Sequence, residues 1–206
     1  MKPDSIAFGI AGIVFGLIAG WIIGSQQAAL RPGVPVATTA AAPASAPAGG
    51  APTAALLDEN KVKALTAVAD QQPSNPTPRV ELGNLYFDSE RYTDAIRWYT
   101  EALKLAPKDV NVSTDLGVSY YYTNQPDLAL AQFDESLKIE PNHTKTLLNM
   151  GIVRAFGKQD LAGAEQVWQR VLDLSPDSPE GQAAKRALDS LRSAHPGGNA
   201  TGKPGA

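Results

Sequence analysis

The sequence predicts an all-α protein in which pairs of helices stack into a repeat domain behind one membrane-spanning helix. Prolines that end apolar helical stretches recur every 34 or 35 residues, at Pro73, Pro107, Pro141 and Pro176. Apolar residues between these prolines follow the helical period. Near the N-terminus, an almost unbroken apolar run covers residues 6–23. A repeat of about this length is typical of stacked helix pairs.

Residues 6–27 are predicted to form the transmembrane helix, with residues 1–5 on the cytoplasmic side. The chain is uncharged from Ser5 to Leu30. As a helix, the apolar run would be roughly 27 Å long, which nearly matches a bilayer core. A cleaved secretory signal is the alternative, but its apolar part is usually only about 7–15 residues long. Because Gln26 and Gln27 crowd the expected cleavage site, we favour an uncleaved anchor.

The cations that flank this span predict its orientation. Lys2 and the amino terminus precede the span, only Arg31 follows it closely, and the next cation is Lys61. Cytoplasmic flanks of membrane spans carry an excess of lysine and arginine. The repeat domain is therefore expected outside the cytoplasm.

Glycine recurs every four residues within the span, at Gly12, Gly16, Gly20 and Gly24. This spacing places the glycines on one helix face, where small residues let a second helix approach closely. The alternative is that they reflect only the general frequency of glycine in membrane spans. We expect the glycine face to pack against a second copy of the chain or another membrane helix.

Two segments are predicted to be disordered, the linker at 28–55 and the tail at 196–206. Residues 31–55 contain mainly Pro, Ala, Thr, Gly and Ser, with one charge and no apolar side chain larger than valine. Such a composition cannot bury enough surface to offset the entropy lost on ordering. Extended at about 3.1 Å per residue, the linker would hold the folded part well away from the bilayer.

The helix pairs carry the same residue types in register. In the first two pairs, the first helix has leucine and glycine followed by tyrosine, and the second helix has alanine, then an aromatic residue, before the closing proline. The residues are Leu82, Gly83, Tyr86, Ala95, Tyr99 and Pro107 in the first pair and Leu116, Gly117, Tyr120, Ala129, Phe133 and Pro141 in the second. This pattern resembles the tetratricopeptide repeat over roughly residues 57–176.

The third pair follows the pattern more loosely. Met150, Gly151, Ala164 and Trp168 fit, whereas Arg154 stands in place of the tyrosine. One extra residue also lies in the turn region between its helices. We expect two helices joined by a widened turn.

The expected repeat domain contains three full pairs with one more helix at each end. A lone helix that matches only the second half of a repeat occupies residues 56–75. Repeats 1, 2 and 3 occupy residues 76–109, 110–143 and 144–177, and a capping helix with a polar outer side occupies residues 178–195. The resemblance implies that these helices stack into a right-handed α-solenoid.

The sequence contains no recognisable catalytic site. A net charge of -3 provides no basic field for nucleic acid, and the absence of cysteine excludes disulfides and thiolate metal sites. The two histidines, His143 and His195, lack the spacing of metal ligands, and the carboxylates are scattered. No phosphate-binding, dinucleotide or hydrolase motif occurs. We therefore predict no enzymatic activity, no cofactor and no metal.

The resemblance implies a partner-binding groove lined by the first helix of each repeat. The family's groove positions correspond here to Val80, Asn84, Phe87, Asp88, Thr114, Val118, Tyr121, Tyr122, Leu148, Ile152, Ala155 and Phe156. Such a surface suits a protein or peptide with apolar or aromatic anchors, while tyrosine hydroxyls and the Asn84 amide fix its register. For Tyr121 and Phe156, the alternative is that they fill the interior of a short superhelix.

One known specificity of the family matches this chain only in part. Some members hold the acidic C-terminus of a chaperone between lysine and asparagine at set groove positions. Asn84 matches one of these positions, but Val80 stands where the first lysine belongs. The missing lysine counts against that ligand.

The order of the segments is similar in layout to bacterial inner-membrane assembly factors of the cytochrome c maturation type and to translocon-associated periplasmic chaperones. This layout favours a scaffold in the bacterial inner membrane that holds a periplasmic partner during assembly or maturation. The alternative is a structural protein that self-assembles through the glycine face or through the unpaired helix at 56–72.

Overall fold

The computed structural model describes residues 56–194, and every regular element in this range is a helix. The helices are α1 (Glu59–Gln71), α2 (Thr77–Asp88), α3 (Tyr92–Leu105), α4 (Val110–Tyr122), α5 (Pro126–Ile139), α6 (Thr144–Ile152), α7 (Leu161–Leu174) and α8 (Pro179–Ala194). A π-helical turn, Val153–Gly157, continues α6. The all-α class and the eight expected helices are thus confirmed for this part of the chain.

The predicted span at 6–27, the linker at 28–55 and the tail at 196–206 lie outside the described residues, as do Gly12, Gly16, Gly20 and Gly24. Between residues 56 and 194, no helix is both long enough and apolar enough to cross a bilayer.

Local sequence signals explain where several helices begin. Asp58 accepts hydrogen bonds from two backbone N–H groups at the start of α1, and Asp109 does the same at the start of α4. Asp160 accepts one from Gly163 at the start of α7. In α2 and α5, Pro78 and Pro126 lie in the first turn, where a missing N–H group costs nothing. These five helices therefore start at residues suited to that position.

Each helix pair packs through a close contact between glycine and an aromatic ring. The contacts join Gly83 to Tyr99, Gly117 to Phe133 and Gly151 to Trp168. The three aromatic side chains are at most 2% exposed. A Cβ atom at residue 117 would lie only 2.5 Å from Cε1 of Phe133. The glycines therefore let the paired helices approach closely, and the buried rings fill the space between them.

Polar contacts join repeat 2 to repeat 3. The hydroxyl of Thr114 on α4 lies 2.6 Å from that of Thr146 on α6, and Nδ1 of His143 lies 2.7 Å from the Thr146 hydroxyl. Beside them, Nζ of Lys145 donates to the Asp115 carboxylate at 2.7 Å. Burial raises the pKa of Asp115, while the charge of Lys145 opposes that shift. These bonds fix how α4 and α6 meet.

Helix α1 packs against the first full repeat as half of a pair. Val62 and Ala69 are buried in this contact. The guanidinium of Arg79, on α2, donates to the carbonyl oxygens of Ala69 at 3.2 Å and Asn75 at 2.9 Å. Because carbonyls at the end of a helix lack partners within the helix, Arg79 satisfies the C-terminal end of α1 and holds it on the repeat.

Candidate partner-binding site

The residues predicted to line the groove differ widely in exposure. Asn84 is exposed, and Phe156 is 46% exposed. Val80, Phe87, Asp88, Tyr121 and Tyr122 are half-buried. Thr114, Val118, Leu148, Ile152 and Ala155 are each at most 7% exposed. The accessible part of the predicted set therefore lies mainly on α2, at the end of α4 and in the π-helical turn.

The covered members of the set take part in packing between helices. The Thr114 hydroxyl donates to the carbonyl of Val110 at 2.7 Å and meets Thr146. The carbonyl of Leu148 accepts the indole N–H of Trp168 at 3.1 Å. Val118 packs with Phe133 in the interior. The sequence pattern placed these residues on a binding surface, whereas their side chains are covered in this structure, so we restrict the candidate site to the accessible members.

Four aromatic rings meet at the accessible part of the site. The rings of Tyr92 and Tyr122 are stacked, with centroids 4.5 Å apart and planes 12° apart. Phe87 meets both rings edge-on, at 5.3 Å from Tyr92 and 6.1 Å from Tyr122. Tyr121 lies 5.9 Å from Tyr122. We call Phe87, Tyr92, Tyr121 and Tyr122 the aromatic cluster.

Sequence reasoning did not find Tyr92. It begins α3, the second helix of its repeat, whereas the groove positions carried over from the family all lie on first helices. The available signal was the short turn from Ser89 to Arg91, which keeps the first residue of α3 beside the end of α2. A search of the residues just after each turn would have included it.

The tyrosine hydroxyls of the cluster stay protonated at neutral pH. Burial raises the pKa of Tyr121 and of Tyr122 to about 12, and the negative charge of Glu90 adds to the effect at Tyr122. Burial likewise raises the pKa of Tyr92 well above its usual value. These groups are therefore hydrogen-bond donors rather than sources of negative charge.

Asn84 has one of its two polar atoms engaged. Its side-chain oxygen accepts a hydrogen bond from the Tyr99 hydroxyl at 2.8 Å. Its amide nitrogen makes no hydrogen bond to another residue in the range 56–194. Asn84 is exposed, so this nitrogen can donate to a bound partner.

No set of three His, Cys, Asp or Glu side chains between 56 and 194 could hold a metal ion. Burial lowers the pKa of His143, whose Nδ1 is engaged with Thr146. What the described surface offers is aromatic rings and hydrogen-bond donors.

Comparison with known proteins supports the repeat assignment. Two tetratricopeptide-repeat models match the chain, over residues 83–124 and 114–179. No curated protein matches it. The first TPR domain of Spaghetti (RPAP3), in a structure bound to the HSP90 peptide SRMEEVD, is 25% identical, with a TM-score of 0.51 over 67% of this chain and 95% of that one.

Two further solved structures are similar. The first TPR domain of human RPAP3 is 26% identical, with a TM-score of 0.53 over 58% of this chain and 91% of that one. The Sgt2 TPR domain from Aspergillus fumigatus is 22% identical, with a TM-score of 0.54 over 64% of this chain and 85% of that one. At 22% identity, the similarity to the Sgt2 domain shows only a shared fold.

Proposed function

We propose that this chain, a tetratricopeptide-repeat protein, is a scaffold that binds a segment of a partner protein on the accessible surface of its first helices. The observation that carries the proposal is the aromatic cluster of Phe87, Tyr92, Tyr121 and Tyr122, whose rings are packed together but only half-buried. Rigid aromatic surfaces of this kind supply much of the energy at protein interfaces.

The cluster favours apolar or aromatic anchors on the partner. Because its rings already pack against one another, the partner does not have to order them on binding. Tyrosine hydroxyls and the amide nitrogen of Asn84 would fix the register of the bound segment through hydrogen bonds. Phe156, on the π-helical turn, extends the same kind of surface to repeat 3.

An acidic ligand such as the HSP90 peptide seen with Spaghetti fits this surface poorly. Val80 offers no positive charge to pair with a carboxylate. Glu90 lies near Tyr92 and Tyr122 and adds negative charge there. We therefore propose a neutral or basic partner segment with apolar side chains.

The same proposal includes a membrane anchor at 6–27 and a linker at 28–55 that hold the repeats on the periplasmic side of a bacterial inner membrane. Its support is the uncharged apolar run and the distribution of the flanking cations. In that position the scaffold would serve assembly or maturation of an envelope complex. Full-length protein recovered in the soluble fraction without detergent would contradict the anchor.

Photocrosslinking tests the binding surface. A photoreactive phenylalanine analogue at Tyr122 of the full-length chain should capture a discrete partner polypeptide in intact membranes. The matched control carries the analogue at Gln166, an exposed residue on the second helix of repeat 3. Capture at Gln166 and not at Tyr122 would place the partner on the wrong surface for this proposal.

The captured species also separates the scaffold from the self-assembling alternative. A product at twice the mass of the chain would mean that a second copy occupies the surface. Loss of helix pairing by the isolated span in the double variant Gly16→Ile, Gly20→Ile would instead assign self-association to the glycine face. Unchanged pairing in that variant would leave the glycines without this role.

A further inference from the structure

A separate groove lies on the side of the repeats formed by the second helices. It runs between α3 and α5 and has a volume of about 710 Å³. Its floor comes from α4, through Ser113, Leu116 and Tyr120. The residues that line this groove include none of those predicted to bind a partner and no member of the aromatic cluster. A volume of this order is ample for one or more side chains of a bound peptide.

The groove is open because its floor carries a small residue. Ser113 is 1% exposed and accepts hydrogen bonds from Nε2 of Gln132 and from the hydroxyl of Ser136, both at 2.7 Å. The corresponding residue of repeat 1 is Arg79, whose long side chain crosses to the end of α1. In repeat 3 it is Leu147, which is 1% exposed. Serine therefore leaves space where the other repeats place a larger side chain.

A second difference between the repeats keeps the groove open at its edge. In repeat 3, Nη2 of Arg170 donates to the Pro141 carbonyl at 2.8 Å and to Oδ1 of Asn142 at 3.0 Å, and so ties α7 to the loop after α5. The corresponding residue of repeat 2 is Glu135, which pairs with Lys138 on its own helix at 2.6 Å. No such tie therefore joins α5 to the loop after α3.

The chemistry of the groove is apolar inside and basic at its rim. Leu103, Leu116 and Ile139 line it, and the charged residues at its rim are Lys104, Lys108, Lys138 and Glu135. Lys104 and Lys138 each pair with a glutamate on their own helix, at 2.6 Å, with exposed side chains. Exposed pairs of this kind are weak and exchange readily with other partners.

Lys108 completes the basic rim. It makes no hydrogen bond or ion pair with any residue of the described range, and its side chain is exposed. The chain as a whole carries a net charge of -3. With Glu101 beside Lys104 and Glu135 beside Lys138, the rim carries three positive and two negative charges, a net charge of about +1 that favours an acidic ligand.

We propose that the groove between α3 and α5 is a second protein-binding surface, which receives an acidic segment of a partner protein. An aliphatic side chain of the segment enters the groove over Leu116, and neighbouring carboxylates pair with Lys104, Lys108 and Lys138. This surface is independent of the aromatic cluster. The scaffold would thus hold two segments of different charge, one at the aromatic cluster and one in the groove between the second helices α3 and α5.

Binding of a defined peptide tests the proposal. A fluorescein-labelled, amidated peptide of four Glu-Leu pairs is titrated with the full-length chain in detergent, and its fluorescence anisotropy is followed. A peptide of four Lys-Leu pairs is the matched control. The Glu-Leu peptide should bind at least about tenfold more tightly. Equal affinities, or no binding of the Glu-Leu peptide up to about 1 mM, would overturn the proposal.

Substitution of Glu135 separates seating in the groove from simple charge attraction. Glu135→Arg adds positive charge and, as Arg170 does in repeat 3, provides an arm that crosses the groove. Affinity for the Glu-Leu peptide should fall at least about tenfold if the groove is the site, whereas charge attraction alone would raise it. Glu135→Gln, which removes the charge without adding the arm, should leave the affinity within about twofold. Unchanged or tighter binding to E135R would refute the assignment.

Two further measurements complete the test. Lys108→Glu should weaken the peptide about three- to fivefold, because an exposed charge at the rim contributes modestly. Unchanged affinity of K108E for the Glu-Leu peptide would contradict the role of the lysine rim. E135R should leave crosslinking from Tyr122 unchanged, so that failure of either surface can be recognised without the other. Loss of that crosslinking would show that the two surfaces are one site.

Discussion

Repeats 2 and 3 pack through the same kind of contact but close their turns differently. Gly117 lies against the ring of Phe133, and Gly151 lies against the indole of Trp168. Both rings are at most 2% exposed. The tyrosine of the pattern, Tyr120, is replaced by an arginine in repeat 3. The comparison teaches that the contact between paired helices is fixed by packing, while the turn at the surface can change.

Both turns end with a residue at positive φ, but they differ in length. In repeat 2, Asn124 adopts a φ of 60°, and the next N–H, of Gln125, donates to the Tyr120 carbonyl at 2.9 Å. In repeat 3, Gln159 adopts a φ of 56°, and the N–H of Asp160 donates to the carbonyl of residue 154 at 2.8 Å. The second turn contains one more residue, which the π-helical turn at 153–157 absorbs.

The arginine of repeat 3 turns an aromatic contact into a polar one. Tyr120 packs against two interior clusters, one between repeats 1 and 2 and one between repeats 2 and 3. Arg154 instead donates from Nη1 to Oδ2 of Asp160 at 3.0 Å, and the other oxygen of Asp160 accepts the N–H of Gly163 at 2.9 Å. Nε of Arg154 is buried and has no hydrogen-bond partner among the described residues. The turn of repeat 3 therefore depends on one carboxylate.

The largest expected effect tests the shared contact. Phe133→Ala and Trp168→Ala should each lower the free energy of unfolding by about 3–5 kcal/mol, because each leaves a large cavity between two helices. Trp168→Ala also removes the hydrogen bond to the Leu148 carbonyl. Denaturant unfolding of the purified chain, followed by circular dichroism, measures both. A loss below about 1 kcal/mol at Trp168 would mean that repeat 3 is not packed like repeat 2.

A smaller effect separates glycines in the interior from a glycine in the turn. A Cβ at residue 117 would meet the Phe133 ring, which cannot move without disturbing the interior, so Gly117→Ala should cost about 1–3 kcal/mol. At Gly163 the nearest atoms are the ends of Asp160 and Arg154, which can rotate away, but only by giving up the bond from the Gly163 N–H to Asp160. Gly163→Ala should therefore cost about as much as the loss of a helix cap, about 1 kcal/mol, in the same experiment. A cost at residue 163 above that at residue 117 would contradict the distinction.

This contrast explains why the fold could be predicted from the sequence. The glycine, alanine and aromatic positions lie inside each pair, so their spacing along the chain reports the contact directly. The prolines mark where the second helices end. The loose third repeat was recognised for the same reason, since its deviations at Arg154 and in the turn leave Gly151 and Trp168 in place.

The candidate site was less predictable because exposure depends on how repeats meet. Thr114 occupies the same helical position as Val80, yet it is covered and bonded to Thr146 of the next repeat. Tyr92 joins the aromatic cluster from a second helix. The groove between α3 and α5 exists because Ser113 and Glu135 differ from their counterparts in the other repeats. The membrane span at 6–27 lies outside the described residues and stays a prediction.

Removing the carboxylate of Asp160 tests the polar turn of repeat 3. Asp160→Ala should destabilise the start of α7, because it removes both the bond to Gly163 and the pairing with Arg154. Gln125→Ala, at the same point of repeat 2, should have little effect, since Gln125 makes no side-chain bond to its helix. Amide exchange at Gly163 should accelerate only in D160A. Equal exchange in both variants would show that the carboxylate does not hold the turn.

The smallest expected effect concerns pH and the joint between the two repeats. Nδ1 of His143 contacts Thr146, which in turn contacts Thr114. Burial lowers the pKa of His143 from its usual 6.5. The charged groups that act on His143 are Glu140, Lys145, Asp115 and Glu180. As the pH falls below the usual value, the unfolded chain takes up a proton that the folded chain resists. The stability contributed by His143 is therefore present at neutral pH and declines on acidification.

His143→Gln keeps a hydrogen-bonding group beside Thr146 but does not titrate. The free energy of unfolding should therefore fall less between about pH 7.5 and about pH 5.5 in H143Q than in the unmodified chain. Denaturant unfolding at the two pH values measures the difference. If both proteins lose the same stability, protonation of carboxylates accounts for the acid sensitivity, and the joint between repeats 2 and 3 is indifferent to the charge of residue 143.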